Sequence, residues 1–463
     1  MTSLAEKTGT SYGPELSIQL RGGRRRAQLE DRLRELVRDG VLPAGDRLPS
    51  SRALADDLEV SRRLVVDAYA QLLAEGYLIS RRGAGTYVAA AAAAGEEARS
   101  RPHARALRFD FFPGAPDLAS FPRALWSRAL REVLRSTPAS AFAYPDPRGA
   151  IELRSALAAY LRRVRGVVAQ PDSIVVCSGA TQGLALLARA FLRLGMEAIA
   201  VEDPCLPPHR AVLSYAGLTV RGVPVDEEGI DVSTIDAPAV LITPAHQCPT
   251  GVVLSPGRRA ALMEWARGGG LVIEDDYDAE FRYDRASPAA LQGLAPDRVV
   301  YLGTASKTLA PGLRLGWLVL PAALLDAVVE AKALDDLGSP TVDQLALARL
   351  IDTAAYDRHL RKARRRNRAR RDTLLAAIAQ SLPGARVSGI SAGLHALVRL
   401  PRSFPAQRLV EACVERSVGV YPLSMHLLGS PAQTDALVVG YANLSEPAIE
   451  EGVRVLAEVL GGL

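Results

Sequence analysis

Lysine is nearly absent: among 56 basic residues in 463, only Lys7, Lys307, Lys332 and Lys362 carry a primary amine. Any chemistry that needs an amine rather than a guanidinium must draw on those positions. Cysteine is as scarce, and Cys177, Cys205, Cys248 and Cys413 make neither a CxxC pair nor a regular spacing. That excludes a disulfide-built scaffold and a cysteine-ligated zinc. No run of eighteen or more apolar residues occurs. Residues 1–13 are polar and hold no apolar core of a secretory signal, so the chain reads as cytosolic. An excess of one charge is lacking too. A net charge of +5 is too small for this length to indicate nucleic acid, and any such partner must be argued from local arrangement. The remaining composition, 48% hydrophobic and 23% charged residues, excludes global disorder and leaves room for two or more domains.

From Gln28, the residues Leu29, Leu33, Leu36 and Val37 repeat at helical spacing and stop before Gly40, with Pro43 and Gly45 beyond. After Pro49, the cap-forming Ser50 and Ser51 precede a short helix marked by Leu54 and Leu58. A turn at Glu59 and Val60 gives Ser61 as the next cap, and Leu64, Ala68 and Leu72 line a third helix that ends at Gly76. Residues 77–80 and 86–88 are β-prone, with Gly83 and Gly85 placed for a hairpin turn. Three short helices and a hairpin spell a winged helix-turn-helix.

The segment LPSSRALADDLEVSRRLVVDAYAQLLAEGYL, with the trailing RRGAGTYV, resembles the DNA-binding domain of the GntR family over nearly its whole length. The resemblance implies that Arg52, Ser61, Arg62 and Arg63 face double-stranded operator DNA and that Arg82 reaches it from the wing. Hydroxyl and guanidinium groups at a helix N-terminus can hold phosphates and base edges, whereas an arginine cluster without such a motif would read as a solvated face. Glu59 departs from the pattern, which has a small turn residue at that position.

The winged helix-turn-helix is expected over 17–88, an interdomain linker over 89–108, and a second domain over 109–463. The linker has neither amphipathic pattern nor turn punctuation. Within the second domain, the basic run RHLRKARRRNRARR at 358–371 is helix-prone and reads as a solvated face in preference to a DNA contact. Short apolar runs at 174–176, 199–201, 240–243, 271–273 and 299–302 alternate with helical stretches, which predicts a parallel, doubly wound sheet with its ligand at the carboxyl ends of the strands. The residues just beyond those strand ends therefore make up the candidate site. They are Ser178-Gly179-Ala180-Thr181-Gln182-Gly183, then Glu274-Asp275-Asp276-Tyr277, then Gly303-Thr304-Ala305-Ser306-Lys307, with Arg314 further on.

The ordered set FDFFPGAPD, YPDPRGAIELR, SGATQGL, TPAHQCPTG, EDDYDAEFRY and GTASKTLAPGLRLGW resembles the fold-type I aminotransferases, specifically the MocR (GabR-like) branch of the GntR regulators. The fold implied is an α/β PLP-dependent-transferase domain, aminotransferase-like, with a small C-terminal α+β subdomain. By motif position, Lys307 would form the Schiff base with pyridoxal 5'-phosphate, Asp275 would pair with the pyridine nitrogen, and Tyr277 would approach the ring hydroxyl. Ala180, Thr181, Thr304, Ser306 and Arg314 would surround the phosphate. The chemistry asks for these residue types: an imine needs a primary amine, a carboxylate keeps a pyridine nitrogen protonated, and a guanidinium forks onto a phosphate. Taken singly, Lys307 reads as a surface lysine, Asp275 as a helix cap and Tyr277 as a core aromatic; the flanking motifs reverse those readings. His246 and Gln247 either touch the ring or pack beneath it. His209, His395 and His426 show no metal-ligand spacing, which leaves them structural or solvent-facing.

Regulators of this branch that sense an amino acid carry a tyrosine after Glu-Asp-Pro-Gly, an arginine two positions later, and a second arginine for the effector's carboxylate. This chain has Cys205-Leu206-Pro207-Pro208 after Glu202-Asp203-Pro204, and Met425 at the second place. Loss of a charge-assisted pair of that kind removes roughly 1.5–3 kcal/mol. The expectation is a homodimeric, PLP-binding transcriptional regulator that senses pyridoxal phosphate itself. An amine or amino acid sensed through an external imine is the rival, beside a working aminotransferase and a cofactor-free scaffold. Residual transaminase activity is compatible with the motifs.

Overall fold

The computed structural model describes residues 18, 20, 22–38, 41–81, 85–89, 107–284, 288–389 and 392–463. The chain divides into two compact units, Met1–Arg105 and Ala106–Leu463. Most of the expected linker, residues 90–106, lies outside the described residues, as does Arg82.

In the first unit, Leu29, Leu33, Leu36 and Val37 share one buried face of the helix Arg25–Arg38. Ser50 Oγ accepts the Ala53 N–H at 3.1 Å and starts the helix Ser51–Asp57. Ser61 Oγ accepts the Leu64 N–H at 3.3 Å and starts Arg62–Ala74. Leu54, Val65, Ala68 and Leu72 complete the core with the first helix. Gly76 turns the chain at φ 79°, and the strands Leu78–Arg81 and Gly85–Val88 pair antiparallel. This is the winged helix-turn-helix expected from the sequence.

Glu59, between the second and third helices, adopts φ 51°. That left-handed conformation costs an ordinary side chain about 1–2 kcal/mol, which is why a small residue suits the turn. Glu59→Gly is expected to raise stability by about 1 kcal/mol, the strain relieved less the entropy a glycine loses. The check is the midpoint of urea unfolding; a lower midpoint would show that the turn is unstrained.

The second unit is built on an eight-stranded sheet, in the order Ile174–Cys177, Gly316–Val319, Val299–Thr304, Leu271–Asp275, Ala239–Ile242, Ala198–Asp203, Thr219–Asp226 and Gly229–Ile230. Neighbours from Val299–Thr304 to Thr219–Asp226 are parallel. The middle of the sheet is parallel as expected, Gly229–Ile230 pairs antiparallel at one edge, and Gly316–Val319 runs antiparallel to both its neighbours. Its connection from Thr304 carries Lys307 and Arg314 and is too short for the helical crossover a parallel return needs. Ile174 and Val176 face one helical layer while Val175 and Cys177 face the other, as a two-residue repeat requires.

The antiparallel strands Arg386–Ser388, His395–Pro405 and Gln433–Gly440, packed with the helices Ala406–Glu415 and Glu446–Gly462, form the small C-terminal α+β part. The basic run lies in the helix Ala355–Ser381 and is not one solvated face. Arg366 and Arg370 both reach Asp117, at 2.9 and 3.0 Å, and Arg364 Nε donates to the Glu280 carbonyl, while Arg361, Lys362 and Arg365 are exposed. Among the described residues no helix is long and apolar enough to cross a membrane.

Candidate functional site

The parallel strands place their carboxyl ends along one edge of the sheet, and the cleft forms there. Cys177 is followed by Gly179 at φ 82° and the helix Ala180–Arg193, whose first turn has no side-chain cap, so the N–H groups of Ala180 and Thr181 are free for an anion. That positive φ is what favours glycine at 179, and a Cβ there would also lie 2.9 Å from Arg314 Nη2. Arg314 itself donates to the Ser178 carbonyl. Thr304 Oγ1 lies 2.9 Å from Ser306 Oγ and accepts the Ser306 N–H at 3.1 Å. Hydroxyl and guanidinium side chains therefore stand beside a helix N-terminus.

Lys307 follows the strand Val299–Thr304 at the same edge. Burial lowers its amine below the ordinary lysine range, against the opposing pull of Cys248, Asp278 and Asp275. Gly114, at φ 74°, covers it so closely that a Cβ would stand 3.1 Å from Lys307 Nζ. Asp275 ends the strand Leu271–Asp275, and its Oδ1 is buried with no hydrogen-bond partner. Burial, with Asp276 adding to it, pushes the Asp275 carboxyl up to about 8. Its neighbour Asp276 points the other way, into a buried pair with Arg165 at 2.6 Å and a hydrogen bond from Tyr301.

Ala180, Thr181, Asp275, Tyr277, Thr304, Ser306, Lys307 and Arg314 all line one cavity of about 390 Å³. The residue types fit a planar aromatic ring with a basic nitrogen, an anionic tail and an aldehyde: the orphaned carboxylate would meet the nitrogen, the cradle the anion, and the amine the aldehyde. His246 and Gln247 pack behind this wall. Tyr277 Oη donates to the His246 carbonyl at 3.1 Å, His246 Nδ1 meets Asp278 at 2.9 Å, and Gln247 bonds the Pro204 and Cys248 carbonyls.

The three histidines expected to be structural or solvent-facing all line the cavity instead. His209 Nδ1 is 3.6 Å from Asp275, and burial, with Lys307 nearby, lowers it to about 4. Such proximity has no signal in the sequence, since 209, 395 and 426 come from separate elements. His246, Asp278 and His395 also gather, with potential ligand atoms within 4.8 Å of one another. Cys205, Leu206, Pro207, Pro208 and Met425 form an apolar part of the lining. Arg210, close in sequence to that apolar stretch, is bound to the Met425 and His426 carbonyls.

In the first unit, Arg52, Ser61, Arg62 and Arg63 are exposed about the start of the third helix, with Arg62 Nε 3.4 Å from Ser51 Oγ. Sequence reasoning passed over Arg47 and Arg81. Arg47 lies against Gly85, 3.0 Å from where a Cβ would be, and Arg81 stacks on Tyr87 at 4.8 Å.

The gntR family of bacterial regulatory proteins matches residues 25–88, and the aminotransferase class I and II family matches 117–456. The chain is 34% identical to the HTH-type pyridoxine biosynthesis transcriptional regulator PdxR of Corynebacterium glutamicum, over 93% of this chain and 94% of that one. It is 31% identical to the Probable rhizopine catabolism regulatory protein MocR of Rhizobium meliloti, over 93% and 92%. Among solved structures, it is similar to a multiple substrate aminotransferase from Thermococcus profundus, with TM-score 0.71, 26% identity, and coverage of 78% of this chain and 92% of that one. The α-aminoadipate aminotransferase LysN of Thermus thermophilus, complexed with N-(5'-phosphopyridoxyl)-L-leucine, gives TM-score 0.70 and 26% identity over 77% and 93%.

Two adjacent aspartates should respond oppositely to substitution. Asp276→Ala strands a buried guanidinium and is expected to cost about 3–5 kcal/mol in urea unfolding. Asp275, with its carboxyl raised in the cofactor-free fold, contributes stability that is present below about pH 4 and lost as the pH rises toward 8. Asp275→Asn is therefore expected to flatten the fall in stability across that window, at about 1.4 kcal/mol per unit of pKa shift removed. An unchanged pH profile would show that the carboxyl is not raised.

Proposed function

Given that the chain belongs to the GntR regulators of the MocR subfamily, which join a gntR domain to an aminotransferase-like domain, we propose that it is a pyridoxal 5'-phosphate-binding regulator whose signal is pyridoxal phosphate itself. The observation that carries this reading is the charge inventory of the cleft. Among its described lining residues the lysine and arginine cations are Lys307 and Arg314, and pyridoxal phosphate engages both. The apolar lining from Cys205 to Pro208, with Met425, offers no partner to a second anion, so an amino-acid carboxylate would be desolvated without compensation.

The chemistry the group would supply when bound is an electrophilic aldehyde carbonyl, for which a primary amine is the fitting partner. Lys307 provides that amine, and its lowered basicity keeps more of it neutral and nucleophilic near neutral pH. Asp275 would hold a proton on the ring nitrogen, and Tyr277 would approach the ring hydroxyl. Ala180 and Thr181 would bind the phosphate through backbone N–H groups, and Thr304, Ser306 and Arg314 would bind it through side chains. Transamination would need a substrate carboxylate held through both half-reactions, and for lack of that cation we assign the domain to sensing rather than turnover. The relative named for pyridoxine biosynthesis supports the same effector.

In the first unit, Ser61, Arg62 and Arg63 would present hydrogen-bond donors to the major groove and Arg52 would contact phosphate, with Arg82, outside the described residues, assigned to the DNA face by its motif position. A homodimer would pair two such units on two half-sites. A ligand can alter DNA affinity only if it binds the DNA-competent and incompetent states unequally.

The test is a salt-controlled titration of the chain's own upstream DNA with cofactor-free protein, with added pyridoxal phosphate, and with Lys307→Ala. A cofactor-dependent change in affinity that Lys307→Ala abolishes is expected; equal affinity in all three would overturn the sensor. Isothermal titration of the loaded protein with amino acids and amines separates the rival, for which tight binding would be the sign. For the DNA face, Arg52→Ala is expected to lower the slope of log K against log salt by about 1. An unchanged slope would place Arg52 off the phosphates.

A further inference from the structure

The chain keeps a second lysine in a place that costs free energy to fill. Lys332, on the helix Ala322–Asp336, has a fully buried side chain in a protein where four of 56 basic residues are lysine. Its Nζ is 3.1 Å from Gln182 Oε1 and 2.9 Å from Ser339 Oγ, and it is paired with Asp336. Three donors thus meet three acceptors, converging on one nitrogen as a planar guanidinium could not.

Gln182 is what ties this node to the cleft. Its Oε1 accepts the Ser178 N–H at 2.7 Å, and its Nε2 donates to Asp335 at 2.7 Å and Asp336 at 2.9 Å. With both amide hydrogens taken, the orientation of the side chain is fixed and its oxygen is shared between Lys332 and Ser178. Ser178 in turn offers its carbonyl to Arg314, and the chain passes at once through Gly179 to the free N–H groups of Ala180 and Thr181. Ser339 continues outward: its carbonyl accepts from Gln344, whose Oε1 accepts the Ala150 N–H at 2.8 Å.

We propose that Lys332 is a positioning residue for anion binding, setting through Gln182 the geometry of segment 178–181 and so the cleft's preference for a phosphate-bearing ligand over its phosphate-free counterpart. It is not among the residues that line the cavity. This inference rests on the functional reading above, and its test separates the two. Dissociation constants for pyridoxal phosphate and for pyridoxal, which lacks the phosphate, are measured by imine absorbance in the full-length wild-type chain and in Lys332→Met. The variant is expected to lose roughly tenfold in affinity for pyridoxal phosphate, the size of effect that supporting partners around a bound group show, and to hold pyridoxal as the wild type does. Equal losses for both ligands, or none for either, would mean that Lys332 serves stability alone and would overturn the inference. A wild type that binds neither ligand would overturn the functional reading instead. Should Lys332→Met fail to fold, the partly exposed Asp336→Asn decides by the same ratio, and an unchanged ratio there overturns the proposal.

Discussion

A carboxylate held in the interior with one oxygen unpartnered is the constraint around which the large unit is arranged. Burying Asp275 costs free energy unless a cation or a proton donor meets it, and its raised carboxyl records that cost. Lys307 stands in the same cleft with the opposite problem, an amine whose charged form burial disfavours. Neither group neutralises the other by direct contact. Both are satisfied together by a flat ligand with a basic ring nitrogen at one end and an electrophilic carbon at the other, which is the complement the proposed cofactor supplies.

The sheet makes this arrangement possible because its parallel strands bring their turns to one edge. Ile174–Cys177 delivers the anion cradle, Leu271–Asp275 the carboxylate and Val299–Thr304 the lysine, although these elements are far apart in the chain. The reversal into Gly316–Val319 is equally necessary, since it folds Arg314 back onto Ser178. Asp276, one residue beyond the strand end, pairs with Arg165 while Asp275 lines the cleft, so adjacent acids serve opposite sides of the chain.

Charge count bears on the proposed choice of sensing over turnover. Among the described residues lining the cleft, the lysine and arginine cations are Lys307 and Arg314, both of which the proposed cofactor would use. Arg210 is close in sequence to the apolar wall but is held by backbone carbonyls. The chain's relatives are regulators, and this inventory gives a physical reason for an aminotransferase fold to serve in one.

Much of this was legible in the residues themselves. Helical and alternating periodicity, with Ser50 and Ser61 as caps, determined the winged helix-turn-helix, because its contacts are short in range and its turns carry their own chemistry. The ordered motifs of the second unit, through their resemblance to the aminotransferases, likewise singled out eight side chains that share a cleft. Tertiary structure alone decided the rest. The antiparallel strand at 316–319 follows from a connection too short to cross over, and the division of the basic run between clamps on Asp117 and an exposed face follows from packing. His209, His395 and His426 meet in one cavity, and Lys332 reaches Gln182 across 150 residues, through contacts whose sequence separations carry no period and no motif.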